Sequence, residues 1–356
     1  MITIRVNHFR LEVHRNMATK RYNSGIQRAK GLLEIAAGLY DSSLSHETRR
    51  AAEGVLQTDS RVGRVFRLSL GVRSSGPADD VPISFATGSF TEIIAVAEGK
   101  YSLAWVNPSA LLTMAYRGKG PFKHRLPLKT IATFPSFDVM GFAVRESTGI
   151  TSLAQIKQQR MPLRVSTGHL PRSDIAGSAT MFTVSATLKA AGFTLADIKK
   201  WGGKIHSVPR PSDPSRRAAI EDGSIDAVFD EGIKSWGQSA IDNGFRYLPI
   251  DGAVLKHLKS LGYRTSAMSR CGFRGIPGEI PTVDFSGWPM IVHAELPDEV
   301  AYAICEAIEL RKDAIPTDNF KHLDMAQLCR NDDEAPYDVP LHPGAKRFYR
   351  DRGYLK

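Results

Sequence analysis

The amino-acid sequence predicts an α/β protein built as two lobes, with a helical extension at its N-terminus. The chain has 356 residues, whereas a single hydrophobic core usually stops growing at about 250–300 residues, so two lobes are expected. Between residues 89 and 250, helical patterns alternate with short apolar runs that are typical of buried strands. This alternation indicates parallel strands joined by helices.

Composition and charge argue against several classes of protein. No apolar run approaches the roughly 20 residues that cross a bilayer, so no membrane insertion is expected. The net charge is +10, and residues 1–73 hold 13 Lys and Arg residues against 6 Asp and Glu residues. These charges lack the aromatic interleaving of a single-strand-binding groove, so no nucleic-acid partner is expected. The three cysteines are far apart, so we interpret each as a small buried hydrophobic residue rather than as part of a disulfide framework or zinc site.

Residues 1–58 form the predicted N-terminal extension, which is basic and helical. Apolar side chains recur with helical spacing over residues 26–40, and a second short helix is predicted for SHETRRAAEGVLQ, residues 45–57. Neither the start of the chain nor the run GLLEIAAGLY has the uninterrupted apolar segment of a secretory signal. We therefore expect a cytoplasmic protein, and a periplasmic one only if the natural start differs, Met17 being an alternative.

The first α/β block follows the extension. Two strand-like runs, VFRLSLGV and ISFATG, are separated by the turn-rich segment SSGPADDVP. A helix comes next, and Ser89 with Glu92 three residues later has the pattern of a capping box. The buried strand YSLAWV leads into a helix that Asn107 and Pro108 open and Gly118 closes. The strand LKTIATF completes this block.

The second block repeats the same order of elements. A helix in SLAQIKQQR precedes the strand LRVST, and a long helix is predicted over residues 174–191. The apolar strand AVFD, a helix from Glu231 to Asn243 and the strand FRYLPI follow. Beyond Asp251 come the helix VLKHLKSLG, the apolar run SGWPMIVHAE and the helix DEVAYAICEAIELRKDAI.

Several segments, in this order, resemble a known family of binding proteins. They are SLAWVNPSALLTMAYRGKGPF, FPSFDVMGFAVRE, TSLAQIKQQRMPLRVSTG, GSIDAVFDEG, FRYLPID and the terminal PLHPGAKRFYRDRGYLK. The similarity spans about residues 65–356. On these segments the sequence is similar to the TAXI group of solute receptors, which serve tripartite ATP-independent (TRAP) transporters and are related to the NMT1-like binding proteins.

The resemblance implies a type II periplasmic-binding-protein fold, in which two α/β lobes enclose a ligand cleft and two crossover strands act as a hinge. The crossovers would lie near Phe134–Asp138 and near Tyr247–Asp251. One lobe would comprise residues 59–135 and 250–356, and the other would comprise residues 136–249. The Gly/Ser-rich first turn of the family is replaced here by the helical extension and the SSGPADD loop.

Three strand-to-helix junctions carry candidate ligand-binding residues. Ligands of open α/β sheets bind beyond the carboxyl ends of the strands, where helix N-termini offer N–H groups. Donors at these positions can hold a carboxylate, or they can simply cap their own helices. The candidates are Thr87, Gly88 and Ser89 at the first junction, Asn107 and Ser109 at the second, and Ser166, Thr167 and His169 at the third.

A fourth junction ends the strand AVFD with two adjacent carboxylates, Asp230 and Glu231. They can accept hydrogen bonds from a ligand, or transfer protons if their pKa is raised. The alternative is the favourable placement of acidic side chains at a helix N-terminus. His169 and Arg172, in the loop GHLPRSD, can meet an anionic ligand or assist Asp230, or they can be exposed loop residues.

Four aromatic residues can line a site for a ring-shaped ligand or can be ordinary core residues. They are Phe134, Phe137, Trp105 and Trp236. No dinucleotide turn, phosphate loop, nucleophile elbow or metal-binding histidine spacing occurs in the sequence. No cofactor and no metal ion is therefore expected.

Three functions remain open at this point, and a binding protein is favoured. The first is a solute-binding protein that closes its cleft on a small polar molecule carrying a carboxylate. The second is a cytoplasmic, cofactor-independent lyase or decarboxylase on the same fold, which would use Asp230, Glu231 and His169 in acid/base roles on a small carboxylic acid, for example an aromatic one. The third is a ligand-sensing regulator that binds DNA through the basic extension.

Overall fold

The fold is described for most of the chain by a computed structural model. The described residues are 2–5, 24–41, 52–58, 66–73, 80–169, 178–250, 252–316, 323–333, 335 and 337–356.

Fourteen strands lie in the described ranges, and they form three sheets. They are β1 (Ile2–Arg5), β2 (Ala52–Thr58), β3 (Phe66–Arg73), β4 (Asp80–Gly88), β5 (Leu103–Val106), β6 (Leu128–Phe134), β7 (Gly141–Arg145), β8 (Arg164–Gly168), β9 (Lys204–Val208), β10 (Ala227–Asp230), β11 (Phe245–Tyr247), β12 (Thr265–Ala267), β13 (Pro281–Val283) and β14 (Trp288–His293).

The same part of the chain contains twelve α-helices. None of these helices combines the length and the apolar character that a bilayer-spanning segment needs. They are α1 (Ser24–Asp41), α2 (Phe90–Ala97), α3 (Ser109–Arg117), α4 (Leu153–Gln158), α5 (Ala179–Ala190), α6 (Leu195–Lys200), α7 (Pro214–Glu221), α8 (Gly237–Asp242), α9 (Gly252–Leu261), α10 (Asp298–Leu310), α11 (Met325–Leu328) and α12 (Pro343–Asp351).

The chain divides into two compact units. The first comprises Met1–Tyr116, Arg125–Ser136 and Gly287–Lys356, and the second comprises Arg117–His124 and Phe137–Ser286. Each unit combines a sheet with helices, which confirms the predicted α/β class.

Apart from the short segment Arg117–His124, the chain enters the second unit after Ser136, within the first predicted crossover, and leaves it after Ser286. The second crossover, predicted near Tyr247–Asp251, lies inside the second unit instead. The reason is local pairing, because β11 pairs with β7 and the backbone N–H of Ile250 donates to the carbonyl of Pro281 at 2.8 Å.

The first unit contains a seven-stranded sheet in the order β1-β2-β3-β4-β5-β14-β6. Strands β1 to β4 form an antiparallel series, and β4 pairs with β5 in parallel. Strand β14, which comes late in the sequence, lies between β5 and β6 and runs antiparallel to both. The predicted parallel pairing therefore holds in this sheet for β4 and β5.

The N-terminal extension follows the prediction in one place and departs from it in another. Helix α1 covers the predicted residues 26–40. The second predicted helix, residues 45–57, was wrong over its last part, because Ala52–Thr58 is strand β2. All seven residues of β2 pair with β3, and cross-strand pairing of this length outweighs the weak intrinsic preference of a short segment for a helix.

The core of the first unit is built around aromatic side chains. Trp105 is fully buried, lies 4.3 Å from Phe134 between ring centroids, and donates its indole N–H to the carbonyl of Trp288 at 2.8 Å. Helices α1 and α10 pack against each other, and Glu34 of α1 accepts hydrogen bonds from Arg311 at 3.0 and 2.6 Å. Trp105 and Phe134 are thus core residues of this unit.

The second unit contains a five-stranded sheet in the order β11-β7-β10-β8-β9, together with the short pair β12 and β13. Strand β8 is parallel to both β9 and β10, whereas β7 is antiparallel to β10 and to β11. The carboxyl ends of β8, β9 and β10 therefore lie at one edge of the sheet. We call this edge the carboxyl edge.

The segment after β10 differs from the predicted continuous helix between Glu231 and Asn243. It contains a 3-10 turn at Ile233–Ser235 and then the short helix α8. Gly232 breaks the helical pattern, because its φ of 63° is left-handed and is easily adopted only by glycine.

Candidate functional site

The first predicted junction lies at the end of β4 in the first unit. Thr87 pairs with Trp105 and Gly88 with Val106 in the parallel β4–β5 ladder, so the two strands end side by side. The predicted capping box is present, and the backbone N–H of Ser89 donates to Glu92 Oε2 at 2.9 Å. This bond explains Ser89 and Glu92 as the start of helix α2.

The second junction, at the end of β5, is also tied into the first unit. The peptide bond between Asn107 and Pro108 is cis, and Asn107 Nδ2 donates to the carbonyl of Gly287 at 3.0 Å. Ser109 is buried at the start of helix α3. These residues hold β5, α3 and the start of β14 together, and a role in ligand binding stays a prediction.

The third junction lies at the end of β8 in the second unit. Ser166 and Thr167 are both fully buried. Thr167 donates its hydroxyl to the carbonyl of Phe229 at 2.7 Å, which links β8 to the neighbouring β10. Ser166 Oγ accepts a hydrogen bond from Arg216 Nε at 3.0 Å. His169, one residue beyond the strand, is exposed, and Arg172 lies outside the described residues.

Asp230 at the end of β10 forms an ion pair with Arg216 of helix α7. The side chains are 1% and 0% exposed, respectively. The second oxygen of Asp230 accepts the backbone N–H of Glu231 at 2.8 Å. Arg216 thus joins Asp230 to Ser166, and the carboxylate of Asp230 faces a fixed cation inside the unit rather than solvent.

Glu231 has a different neighbour, Asp138, which sequence reasoning missed. The side chains of Glu231 and Asp138 share a hydrogen bond, and burial raises the pKa of Asp138. The Asp138 carboxylate also accepts the backbone N–H groups of Gly232 at 2.9 Å and Ile233 at 3.2 Å, which opposes that rise. Asp138 is therefore a carboxyl group close to Glu231 that holds its proton more tightly than an exposed aspartate does.

Two cationic side chains contact Phe137, the residue before Asp138 in the sequence. Lys234 Nζ lies 5.9 Å from the centroid of the Phe137 ring, and the guanidinium carbon of Arg270 lies 5.0 Å from it. Phe137, which was predicted to line a site for a ring-shaped ligand, is half-buried, and its ring makes cation–π contacts with Lys234 and Arg270. Trp236, the fourth aromatic candidate, is buried in the core of the second unit.

Two serine–histidine contacts connect β8 and the end of the neighbouring strand β9. His169 Nδ1 lies 2.9 Å from Ser207 Oγ, and His206 Nδ1 lies 3.2 Å from Ser166 Oγ. Sequence reasoning did not identify His206, because the register that places it beside Ser166 depends on the order of strands in the sheet. Among the side chains that are described, His, Cys, Asp and Glu residues form no cluster of three or more that could hold a metal ion.

Comparison with solved structures gives only distant likenesses. An ancestral arginine-binding protein bound to arginine is 14% identical, with 64% of this chain and 71% of that chain covered at a TM-score of 0.29. A structure described as a periplasmic transporter is 12% identical, with coverages of 70% and 75% and a TM-score of 0.33. A TctC solute-binding protein from Polaromonas is 13% identical, with coverages of 73% and 78% and a TM-score of 0.32. Likenesses this low are no guide to what this chain binds.

Comparison with protein families gives a match over most of the chain. The model of the NMT1-like family matches residues 72–353. This range contains the second α/β block, the first block from the end of its first strand-like run onward, and every candidate site residue named above. The chain therefore belongs to the NMT1-like family.

Proposed function

We propose that this protein is a solute receptor of the TAXI type, which binds a small polar molecule through a carboxylate group. One observation carries the proposal, namely the polar carboxyl edge of the second unit. Three parallel strands end there in polar side chains, of which His169 after β8 and Ser207 near the end of β9 are exposed and Glu231 after β10 is half-buried. Ligands of open α/β sheets bind at such an edge.

An arginine beside this edge supports an anionic solute. Arg210 follows β9 by two residues, and its buried Nε has no hydrogen-bond partner among the described residues. The next residue, Pro211, packs so closely on Gly232 that a Cβ added there would lie 2.5 Å from it. Arg210 therefore belongs to a segment that contacts the Glu231–Gly232 turn. The charge of Arg210 also acts on Asp213, but its buried Nε donor lacks an acceptor, which favours a carboxylate as that acceptor.

The proposal is tested by calorimetry with L-glutamate, succinate, 2-oxoglutarate and benzoate, and with succinamide as an uncharged comparison. We expect a carboxylate to bind and succinamide not to bind. Arg210→Gln should weaken binding by about tenfold or more, since hydrogen bonds to charged groups contribute about 1.5–3 kcal/mol. The matched control is Arg217→Gln, because Arg217 is exposed and already paired with Glu221 at 2.9 Å. Failure of all four carboxylates to bind at millimolar concentration would contradict the proposal.

The hydrogen-bonded pair of Asp138 and Glu231 supports a second candidate, a cofactor-independent lyase. A carboxyl group with a raised pKa can deliver a proton to a carbanion-like centre, which decarboxylation of a carboxylic acid produces. In this candidate Asp138 and Glu231 take the acid/base role, since Asp230 is paired with Arg216.

The lyase candidate is tested by following CO2 release from benzoate derivatives and from 2-oxo acids. Glu231→Gln should abolish turnover, and Glu221→Gln, on the exposed face of helix α7, should leave it unchanged. Binding of these acids without any CO2 release would remove the candidate and leave the receptor proposal standing.

A further inference from the structure

The two serine–histidine contacts at strands β8 and β9 differ in what else each serine touches. Ser166 and His206 are aligned in the parallel ladder, as are Thr167 and Ser207. Ser166 is fully buried and His206 is half-buried, whereas His169 and Ser207 are both exposed. The second hydrogen-bond partner of each serine decides where the proton of each neutral imidazole lies.

In the buried contact, the direction of the hydrogen bonds follows from Arg216. A guanidinium group only donates, so Ser166 Oγ accepts from Arg216 Nε at 3.0 Å and its own hydrogen must point elsewhere. Within the described part of the chain, His206 Nδ1, at 3.2 Å, is the acceptor that Ser166 Oγ contacts. The hydroxyl therefore donates to Nδ1, and neutral His206 carries its proton on Nε2.

The exposed contact has the opposite direction. Ser207 Oγ donates to the carbonyl of Gly168 at 3.3 Å, which uses its only hydrogen. With the Ser207 hydrogen directed at Gly168, the hydrogen bond between His169 Nδ1 and Ser207 Oγ, which are 2.9 Å apart, is assigned to Nδ1 as the donor. Neutral His169 therefore carries its proton on Nδ1, and the two neighbouring histidines are opposite tautomers.

We propose that Arg216, acting through Ser166, is a positioning residue that fixes His206 as a hydrogen-bond donor for the solute. No described residue accepts a hydrogen bond from His206 Nε2. Its N–H is thus presented, in a fixed direction, to an acceptor such as a carboxylate oxygen. Support of a binding imidazole by a second, buried layer of hydrogen bonds restricts its orientation before the ligand arrives. Donation by His206 to a bound solute rests on the proposed function, whereas the position of the proton on His206 does not.

Arg216 is itself held in place by two further contacts inside the second unit. Its guanidinium pairs with Asp230 and also donates to the carbonyl of Pro211 at 3.4 Å. Four side chains are therefore linked by hydrogen bonds from the end of β10 to the middle of β9. They are Asp230, Arg216, Ser166 and His206, and we call this series the relay.

The tautomers are measured by NMR on protein labelled with 15N in the histidine rings, through the long-range couplings of the ring nitrogens. We expect His206 to carry its proton on Nε2 and His169 to carry it on Nδ1. Ser166→Ala should convert His206 into a mixture of tautomers, whereas Ser166→Thr, which keeps the hydroxyl, should not. Ser207→Ala is the matched control and should alter His169 alone. A wild-type His206 with its proton on Nδ1, or one that Ser166→Ala leaves unchanged, would overturn the relay.

The donor role is measured by adding succinate, L-glutamate or benzoate to the same labelled protein while calorimetry reports binding. A carboxylate that binds should shift the His206 Nε2 signal. His206→Gln, whose amide can keep an N–H donor, should bind within about threefold of wild type, and His206→Leu should bind about three- to tenfold more weakly. Binding that leaves the His206 signal unmoved overturns the donor role. If none of the three binds, the donor role is overturned together with the proposed function, while the tautomers still decide the relay.

Discussion

Arg216 and Asp230 form an ion pair from which water is almost completely excluded, with side-chain exposures of 0% and 1%. Arg216 comes from helix α7 and Asp230 from the end of strand β10, so the pair connects a helix to the sheet that it covers. Both charges also have further hydrogen bonds, to Ser166 and to the backbone N–H of Glu231. The pair is therefore a structural junction directly beneath the carboxyl edge.

Removal of either partner of this pair should strongly destabilise the protein. Arg216→Met or Asp230→Leu leaves one buried charge unpaired, which costs about 3–5 kcal/mol of the free energy of unfolding. Urea denaturation measures the loss. The control is Arg217→Met, one residue away in the exposed pair with Glu221, which should change the free energy by less than about 0.5 kcal/mol. Equal small effects of the Arg216 and Arg217 variants would contradict the buried pair.

Asp284→Asn should stabilise the second unit at neutral pH. Burial raises the pKa of Asp284 from 3.8 to about 6. The folded state therefore binds the carboxyl proton of Asp284 more tightly than the unfolded state does. The contribution of Asp284 to the stability of the fold is greatest below pH 3.8 and is lost as the pH rises to about 6. Asparagine keeps an oxygen that can accept the backbone N–H of Ser286, now bonded to Asp284 Oδ1 at 3.2 Å.

The gain from Asp284→Asn is measured by thermal unfolding at pH 7.5 and at pH 4. The difference between the two pKa values corresponds to at most ~3 kcal/mol in the free energy of unfolding. This gain in stability should appear at pH 7.5 and nearly vanish at pH 4. Glu279→Gln, an exposed carboxyl change in the same unit, serves as the control and should have little effect at either pH. Destabilisation by Asp284→Asn at pH 7.5 would contradict the prediction, because it would mean that the negative charge of Asp284 stabilises the folded state.

His342 should make the first unit sensitive to acid. It is 1% exposed, caps helix α12 by accepting the backbone N–H of Gly344 at 3.3 Å, and has a pKa lowered by burial. The folded state favours the neutral ring, so its contribution to stability is complete above the ordinary value of 6.5 and is lost as the pH falls below it. Asp298, 3.6 Å away, opposes this shift, and Lys129 adds to it.

The acid sensitivity is checked with His342→Asn, since asparagine caps helices well and does not titrate. Urea denaturation at pH 7.5 and pH 5.5 should show a smaller difference for the variant than for the wild type. His257→Asn, on the exposed part of helix α9, should keep the wild-type difference. An unchanged difference in His342→Asn would mean that another group causes the acid sensitivity.

Gly38→Ala should destabilise the protein although it improves the helix propensity of α1. Alanine is favoured over glycine inside a helix by about 1 kcal/mol. At Gly38, however, a Cβ would lie 2.6 Å from the carbonyl oxygen and 2.9 Å from the Cα of Ala307 in helix α10. Overpacking of this kind costs about 1–3 kcal/mol, so the midpoint of thermal unfolding should fall. A rise in the midpoint would show that α1 and α10 are not packed this closely.

Local signals in the sequence predicted the features that depend on neighbouring residues. The capping box of Ser89 and Glu92 and the helical spacing over residues 26–40 are examples, because each is decided within a few residues. Family membership confirms the coarser part of the resemblance, and the TAXI assignment within it stays a proposal.

The features that sequence reasoning missed depend on residues far apart in the chain. Arg216 is 50 residues from Ser166, and the carboxyl group of Asp138 is more than 90 residues from the Gly232 N–H that it accepts. His206 meets Ser166 only because β9 pairs with β8. No local pattern distinguishes these residues, and without the order of strands they look like ordinary polar positions.

The interleaved composition of the two units has a consequence for protein synthesis. The second unit is almost continuous in sequence, whereas the sheet of the first unit lacks its inner strand β14 until residues 288–293 have been made. Domains generally fold as units as they leave the ribosome. The second unit can therefore be complete while β5 and β6 of the first still await the strand between them. This half-built sheet is the stage at which a nascent chain would most need a chaperone.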